Sequence, residues 1–222
     1  MIEEIRAKII HLSYRFKSRK RKFSNIYKNG GFSGDKYPLS GIGSSIEETQ
    51  TIRRELPKLI AELNAQILLD APCGDFFWME QVQLNAVKYF GADIVPMIIE
   101  RNSDHYANEN RSFFVADIVQ DTLPLVDVIL SRDCFIHLSN SDTIKAIKNF
   151  KRSGSRYLLT NTYIHLLKNK DLVSGRGWRP INLNLPPFGL PEPLKLISEN
   201  FFEYDGMQIE KCIGLWDLKS IG

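Results

Sequence analysis

The stretch from Ile67 to Asp75 constrains the fold of this chain more than any other part of the sequence. It reads Ile-Leu-Leu-Asp-Ala-Pro-Cys-Gly-Asp and leads into an aromatic-rich segment. An apolar run that ends in an acid and a tight turn is typical of a buried parallel strand whose carboxyl end opens on a cofactor pocket. We therefore predict a nucleotide-type site at Asp70 and the turn that follows it.

Extended apolar runs alternate with helical segments from Gln66 to the end of the chain. This alternation predicts an α/β fold, with a Rossmann-like, doubly wound, mostly parallel seven-stranded sheet. The connection around Asp205 and Gly206 is short enough for a hairpin, so one antiparallel strand is expected near the sheet edge. The predicted strands are 66–70, 87–93, 112–117, 125–133, 155–163, 201–204 and 212–218, and the predicted helices between them are 77–84, 94–109 and 142–151.

Two long loops flank this core. The first, 29–45, is rich in Gly and Ser, and the second, 169–193, contains five prolines and precedes a last predicted helix. A further helix is expected from a cap at Ser44 or Ser45 to about Leu63. On that helix Thr49 and Arg53 are one turn apart and share a face, where Arg53 forms either a surface ion pair or, if the helix covers the pocket, a bidentate clamp for a carboxylate.

Acidic residues fall repeatedly at the predicted strand ends: Asp70, Asp93, Asp117 and Asp133, which follows Ser131 and Arg132. Any one of them could simply cap a turn. The first turn has a single glycine, a proline without an N–H, and Asp75 where a pyrophosphate would lie, so an anion is disfavoured. S-adenosylmethionine carries a sulfonium and an ammonium for Asp70 and Asp75, and it fits this turn better than a dinucleotide does.

The ordered motifs resemble those of a class I S-adenosylmethionine-dependent methyltransferase over about residues 66–163. They are Leu-Leu-Asp-Ala-Pro-Cys-Gly-Asp, Gly-Ala-Asp-Ile, Val-Ala-Asp-Ile and Leu-Ser-Arg-Asp-Cys-Phe-Ile-His-Leu-Ser. The chain departs from the family pattern where Asp75 and Phe77 replace two glycines. Two flanking motifs, Ser-Gly-Ile-Gly-Ser with Thr49 and Arg53, and Gly-Trp-Arg-Pro-Ile-Asn-Leu with Pro-Pro-Phe-Gly-Leu-Pro-Glu-Pro, resemble a bacterial subgroup of such enzymes.

The resemblance implies positions for the cofactor. Gly74 lies under its methionine part, Asp93 binds the ribose, Asp117 and Ile118 contact the adenine, and residues 131–133 line the reactive side. The complete expected cofactor set is Asp70, Ala71, Pro72, Gly74, Asp75, Asp93, Ile94, Asp117, Ile118, Ser131, Arg132, Thr49 and Arg53.

Asp133 and His137 are the candidate catalytic residues. They are four apart after the fourth strand, so on a helical turn the carboxylate would orient the imidazole. Alternatively, Asp133 contacts the cofactor or caps the turn while His137 packs inward, and His165 is a weaker choice of base. The candidate substrate contacts are Tyr37, Tyr163, Trp178 and Arg179, although Trp178 could instead pin its loop.

The charge of the chain is unevenly distributed. Residues 1–28 carry nine Lys or Arg against two Glu, a net +7, which leaves the rest of the chain at −4. We expect a basic amphipathic leader over 1–28 and a methyltransferase domain over 29–222. The leader would pack on the domain or lie on an anionic membrane surface, and nucleic acid is disfavoured because the domain is acidic.

Three widely separated cysteines support neither a disulfide framework nor a metal site. The absence of a membrane span or signal peptide pattern predicts a cytoplasmic protein, peripheral at the inner membrane surface if the leader binds there. The expected activity is O-methylation of a small polar acceptor, such as a sugar of a bacterial surface glycan. The alternatives are N-methylation or methylation of a secondary metabolite, and a non-catalytic module that binds a nucleotide cofactor.

Overall fold

The computed structural model describes residues 18–32, 34 and 38–222. Most of the predicted leader and the candidate substrate residue Tyr37 lie outside this part of the chain. Seven strands form one sheet: β1 (Ile67–Asp70), β2 (Lys88–Asp93), β3 (Arg111–Val115), β4 (Val128–Ser131), β5 (Tyr157–Ile164), β6 (Lys195–Tyr204) and β7 (Met207–Asp217).

The strand order is β3-β2-β1-β4-β5-β7-β6. Neighbours from β3 to β5 are parallel, whereas β7 runs antiparallel to both β5 and β6. The order reverses direction between β1 and β4, and ligands of doubly wound sheets bind at such a point. The sequence prediction of a mostly parallel seven-stranded sheet with one antiparallel strand near the edge is confirmed.

Four helices of ten or more residues occur in the described part: α1 (Arg19–Lys28), α2 (Gln50–Glu62), α3 (Pro96–Tyr106) and α4 (Asn140–Arg152). Single 3₁₀ turns lie at Ile42–Ser44, Met79–Gln81 and Phe135–His137. No helix of the described residues is long and apolar enough to cross a membrane.

Alternation along the strands divides the core between the two faces of the sheet. On one face Leu69, Ile129 and Leu158 pack with Phe150 of α4. On the opposite face their strand neighbours pack with Ile52, Leu56, Leu59 and Ile60 of α2. Successive side chains of a strand point to opposite faces, so continuous apolar runs such as β4 are buried on both sides.

Three sequence predictions of secondary structure are wrong. The segment 77–84 is only a 3₁₀ turn, because Phe76 adopts φ +61° and Phe76, Trp78 and Met79 are all buried in the core. The last predicted helix is the first half of β6, since this segment pairs with β7 along its whole length. Helix α2 begins one turn later than predicted, because Ser45 caps a separate turn through the amide N–H of Glu48.

Candidate active site

A cleft opens at the carboxyl ends of β1, β2 and β4 and beside the segment after β3. The empty space in it is about 900 Å³, with open solvent at the mouth included. Ten residues predicted from the sequence line it: Asp70, Pro72, Gly74, Asp93, Ile94, Asp117, Ile118, Arg132, Asp133 and His137. The strand ends thus bring together the acids that the sequence places one after another.

Asp70 ends β1 at the centre of the sheet and is buried. The hydroxyl of Tyr89 donates to its carboxylate at 2.7 Å. Burial disfavours the charged form and raises the pKa of Asp70 to about 7, although the Tyr89 hydrogen bond works in the opposite direction. A cation that entered the cleft would favour the ionised form of this carboxyl group.

Asp93 ends β2 and fixes the turn after β1. Its carboxylate accepts the backbone N–H groups of Gly74 at 3.2 Å and Val95 at 2.9 Å. Burial raises the pKa of Asp93 to about 6, and the backbone donors limit the rise. Each carboxylate oxygen has a second lone pair, so Asp93 can also accept a ligand hydroxyl.

Helix α1 covers the cleft. The sequence suggested that the leader packs on the domain, but not that it lies over this site. Its residues Arg19, Phe23 and Tyr27 line the cleft. The Arg19 guanidinium donates to Asp117 through Nη2 at 2.8 Å and to Asp142 of α4 through Nη1 at 3.1 Å. The spacing of Phe23 and Tyr27, one helical turn apart after the capping Ser18, was the sequence signal for a buried helix face.

The loop before α2 is bound to the turn after β1. The Ser40 hydroxyl donates to the Asp75 carboxylate at 2.8 Å and accepts the Asp75 N–H at 2.8 Å. It also lies 3.1 Å from the hydroxyl of Tyr27. A Cβ at Gly74 would lie 2.2 Å from the Ser40 oxygen, so only glycine permits this approach, and its φ of +54° favours glycine too.

A cluster of four charged side chains closes the cleft beyond β4. Arg132 and Lys211 each lie 2.9 Å from Asp133 Oδ2, and Glu199 of β6 pairs with Arg132 at 3.0 Å and with Lys211 at 3.2 Å. Burial disfavours the charged form of Asp133, but Arg132 and Lys211 outweigh it and lower the pKa of this carboxyl group. Asp133 is therefore ionised at neutral pH.

His137 is oriented by the second long loop. Its Nδ1 lies 2.8 Å from the carbonyl oxygen of Gly177. A carbonyl oxygen only accepts hydrogen bonds, so Nδ1 carries the proton in the neutral ring and Nε2 keeps a lone pair. Burial lowers the pKa of His137, which keeps the ring neutral at pH 7. The predicted hydrogen bond between Asp133 and His137 is wrong, because Asp133 binds Lys211 and Arg132 while His137 binds Gly177.

Several predicted site residues hold the structure together instead of lining the cleft. Arg53 donates to Thr49 Oγ1 at 3.3 Å and to the Ile46 carbonyl at 2.9 Å, and Thr49 is fully buried, so neither is placed to clamp a cofactor. Ala71 and Ser131 are buried, and their backbone groups bind Leu130 and Thr160.

The predicted substrate contacts are also corrected in part. Arg179 is buried, and its guanidinium donates to Phe135 O at 2.6 Å, Asn140 Oδ1 at 2.9 Å and Lys170 O at 3.0 Å, which leaves it no free nitrogen for a substrate. Tyr163 is buried against Phe202. Trp178 is 51% exposed and packs beside Phe202, so its contact with a substrate stays a prediction.

Solved structures with a similar fold include proteins described as methyltransferases. A Leishmania major protein described as a SAM-dependent methyltransferase is 15% identical, with a TM-score of 0.62 over 90% of this chain and 84% of its own. The magnesium protoporphyrin IX methyltransferase ChlM from Synechocystis PCC 6803, solved with SAH, is 13% identical. Its TM-score is 0.51 over 93% of this chain and 99% of its own.

TehB from Haemophilus influenzae is 17% identical, with a TM-score of 0.51 over 73% of this chain. The chain spans 60% of TehB and 66% of each of two other matched structures. No protein-family model and no curated protein sequence matches the chain. The likenesses show that the chain has the fold of class I S-adenosylmethionine-dependent methyltransferases, whereas the bacterial subgroup stays a prediction.

Proposed function

We propose that this protein is an S-adenosylmethionine-dependent methyltransferase that methylates a hydroxyl oxygen of a small polar acceptor, such as a sugar of a bacterial surface glycan. The observation that carries the proposal is His137 at the cleft wall, neutral and with Nδ1 bound to the Gly177 carbonyl. A hydroxyl nucleophile needs a base on the enzyme to take its proton. An amine that is already deprotonated needs no such base, and neither does a thiolate.

The cleft fits the cofactor. Its carboxylates follow three successive strands, at Asp70, Asp93 and Asp117, and Gly74 gives the narrow turn between the first two. Asp93 would bind the ribose hydroxyl groups, and Asp117 with Ile118 would contact the adenine. This sequence of acids suits a cationic adenosyl compound and opposes a pyrophosphate. When bound, S-adenosylmethionine supplies an electrophilic methyl group on a positively charged sulfur.

The residues of the chain would act on the acceptor in three ways. The Nε2 lone pair of His137 would take the proton of the acceptor hydroxyl. Helix α1, through Phe23 and Tyr27, would exclude bulk water from the cleft. The 174–179 segment would hold the imidazole in place through Gly177 and through the buried guanidinium of Arg179. Alignment and exclusion of water are the main requirements of an in-line displacement.

The acceptor class can be tested with methyl-labelled cofactor. The protein would be incubated with fractionated bacterial glycans, lipids, RNA, protein and small metabolites, and the label followed into each fraction. We expect base-stable label in the glycan fraction. Label only in protein or RNA would contradict the glycan acceptor, and label on amines would favour N-methylation. Cofactor binding without label in any fraction would favour the non-catalytic module.

We also propose that basic residues of 1–28 hold the enzyme at the inner face of an anionic membrane. In the described part Lys20, Arg21 and Lys28 are exposed, whereas Arg19 is bound to Asp117. Several exposed cations near one another attract anionic lipid headgroups. Sedimentation with phosphatidylserine vesicles but not with phosphatidylcholine vesicles is expected. Equal recovery in the supernatant with both would contradict this location.

A further inference from the structure

Helix α4 has a row of cations on its solvent-facing side. Residues three and four apart on a helix are neighbours on its surface, so these side chains form one continuous row. Its members are the exposed residues Lys145, Lys148, Lys151 and Arg152. The only acid of the helix, Asp142, is bound to Arg19 at 3.1 Å. A strongly basic surface thus lies on a domain whose net charge is negative.

No acid among the described residues forms an ion pair with this row. Lys151 donates to the carbonyl oxygen of Ile221, and Arg152 donates to Asn149 Oδ1 at 2.6 Å. Like charges three and four apart on a helix repel one another, so the row destabilises α4 slightly until anions neutralise it. The row therefore favours a partner with several negative charges close together.

Helix α1 begins beside the same row. Arg19 donates to Gln120 Oε1 at 3.3 Å, and Arg152 donates to the carbonyl oxygen of Gln120 at 3.4 Å. The segment 117–121 therefore lies between the start of α1 and the end of α4. Its exposed acid Asp121 offsets only one of the positive charges that surround it. We call this surface the basic face, and its exposed cations are Lys20, Arg21, Lys145, Lys148, Lys151 and Arg152.

An exposed leucine lies at the end of α4. Leu125 is 68% exposed, and its side chain lies against Gly154, where an added Cβ would be 3.4 Å from Leu125 Cδ1. A single exposed leucine is ordinary on a protein surface. Beside a row of cations it has a further use, because proteins that bind the surface of a membrane combine cations for the anionic headgroups with apolar side chains for the acyl boundary.

The basic face lacks the side chains that proteins use to stack nucleic acid bases. The aromatic residues in the described parts of α1 and α4 are Phe23, Tyr27 and Phe150. Phe23 is half-buried and lines the cleft, and the other two are buried. Single-stranded nucleic acid is bound through exposed aromatic side chains together with cations. Anionic lipid therefore fits this surface better.

We propose that the basic face binds anionic lipid headgroups through the cations of α4 and the start of α1, with Leu125 entering the membrane at its edge. The inference extends the proposed membrane location from residues 1–28 to the folded domain. It rests on that location and not on the identity of the methyl acceptor. Helix α1 also covers the cleft, so the bound surface would hold the mouth of the cleft beside the membrane.

Sedimentation of the full chain with vesicles tests the basic face. We expect the double variant Lys145→Ala/Lys148→Ala to bind phosphatidylserine vesicles about 25-fold more weakly than the wild type, since each cation near an anionic surface contributes about fivefold. Added salt should weaken the wild type more than this variant. Leu125→Ser should weaken binding at low and at high salt, because its contribution is not electrostatic.

The matched control is Arg54→Ala/Lys58→Ala, which removes two exposed cations from α2 on the opposite face of the sheet and should bind like the wild type. Wild-type binding by Lys145→Ala/Lys148→Ala would overturn the inference and leave the membrane location to residues 1–28. Equal weakening by the control would overturn it too, because any lost cation would then suffice.

A wild-type protein that does not sediment with phosphatidylserine vesicles would refute both the basic face as a lipid surface and the membrane location. Binding of RNA by the same protein, weakened by Lys145→Ala/Lys148→Ala, would then assign the face to nucleic acid. Methyl transfer is followed separately with labelled cofactor, so none of these results depends on it.

Discussion

The carbonyl oxygen of Gly177 lies 2.8 Å from Nδ1 of His137, and this contact joins the second long loop to the wall of the cleft. The contact fixes the tautomer of the neutral imidazole. The proton is on Nδ1, and Nε2 on the other side of the ring keeps its lone pair. The acid that the sequence suggested as its partner, Asp133, is bound to Lys211 instead. A loop carbonyl thus takes the orienting role that a carboxylate plays in acid–histidine pairs.

His137→Gln should lower kcat by about 10²- to 10⁴-fold and leave the Kd of S-adenosylmethionine nearly unchanged, because a general base acts on the acceptor alone. Burial lowers the pKa of His137, so kcat of the wild type should rise with pH through a pKa below 6.5 and then level off. The exposed His105 is the control, and His105→Gln should match the wild type. Undiminished turnover in His137→Gln would remove His137 from the mechanism.

Asp70→Asn should stabilise the protein at pH 8. Burial raises the pKa of Asp70 to about 7, so folding favours its protonated form. The stability that this gives is complete at low pH and is lost as the pH rises from about 4 to about 7. We expect Asp70→Asn to raise the free energy of unfolding by about 1–3 kcal/mol at pH 8 and by almost nothing near pH 4, measured by urea denaturation.

The exposed Asp104→Asn should change stability little at either pH. The same Asp70→Asn variant should bind S-adenosylmethionine more weakly, since it removes a carboxylate from the cleft. A variant that is less stable than the wild type at pH 8 would show that ionised Asp70 stabilises the fold.

Arg19→Ala should let the cofactor leave faster. Arg19 joins α1 to Asp117 and Asp142 across the mouth of the cleft, so its loss should loosen the covering helix. We expect the dissociation rate constant to rise about fivefold, within the range for partly exposed ion pairs. Asp142→Asn should give a smaller rise, because Asp142 does not line the cleft.

Stopped-flow fluorescence can follow this step, because Trp78 lies in the cleft wall. Arg21, exposed on the same helix, provides the control variant Arg21→Ala. Unchanged dissociation in Arg19→Ala would mean that α1 does not limit ligand release.

Arg179→Ala should destabilise the protein by about 2–4 kcal/mol, because one buried and two partly buried acceptors lose a charged donor. It should also speed proteolysis within 165–193. The exposed Arg176→Ala should do neither. A stable Arg179→Ala variant with a raised KM for the acceptor would restore the substrate contact that the sequence suggested.

The sequence predicts the acids that line the cleft, because their signals are local. A buried strand, its terminal acid and the next turn lie within nine residues at Ile67–Asp75, and Asp93 and Asp117 repeat the pattern. Their convergence follows from parallel strand order alone.

The remaining features depend on contacts between distant segments. Arg19 and Asp117 are 98 residues apart, and Lys211 and Asp133 are 78 apart. The spacing of residues along the sequence does not predict pairs so far apart. Residues 195–200 have a helix-compatible composition, and only the long pairing with β7 makes them a strand. The same limit explains the wrong role for Arg179, whose partners lie in three separate segments.

Calorimetric titration with S-adenosylmethionine and NAD tests the central claim most directly. We expect saturable 1:1 binding of S-adenosylmethionine, no measurable binding of NAD, and at least tenfold weaker binding of S-adenosylmethionine by an Asp93→Ala variant whose circular dichroism matches the wild type. Adenosine should compete with the cofactor in wild-type protein. Absence of S-adenosylmethionine binding, or tighter binding of NAD, would contradict the assignment of the cleft.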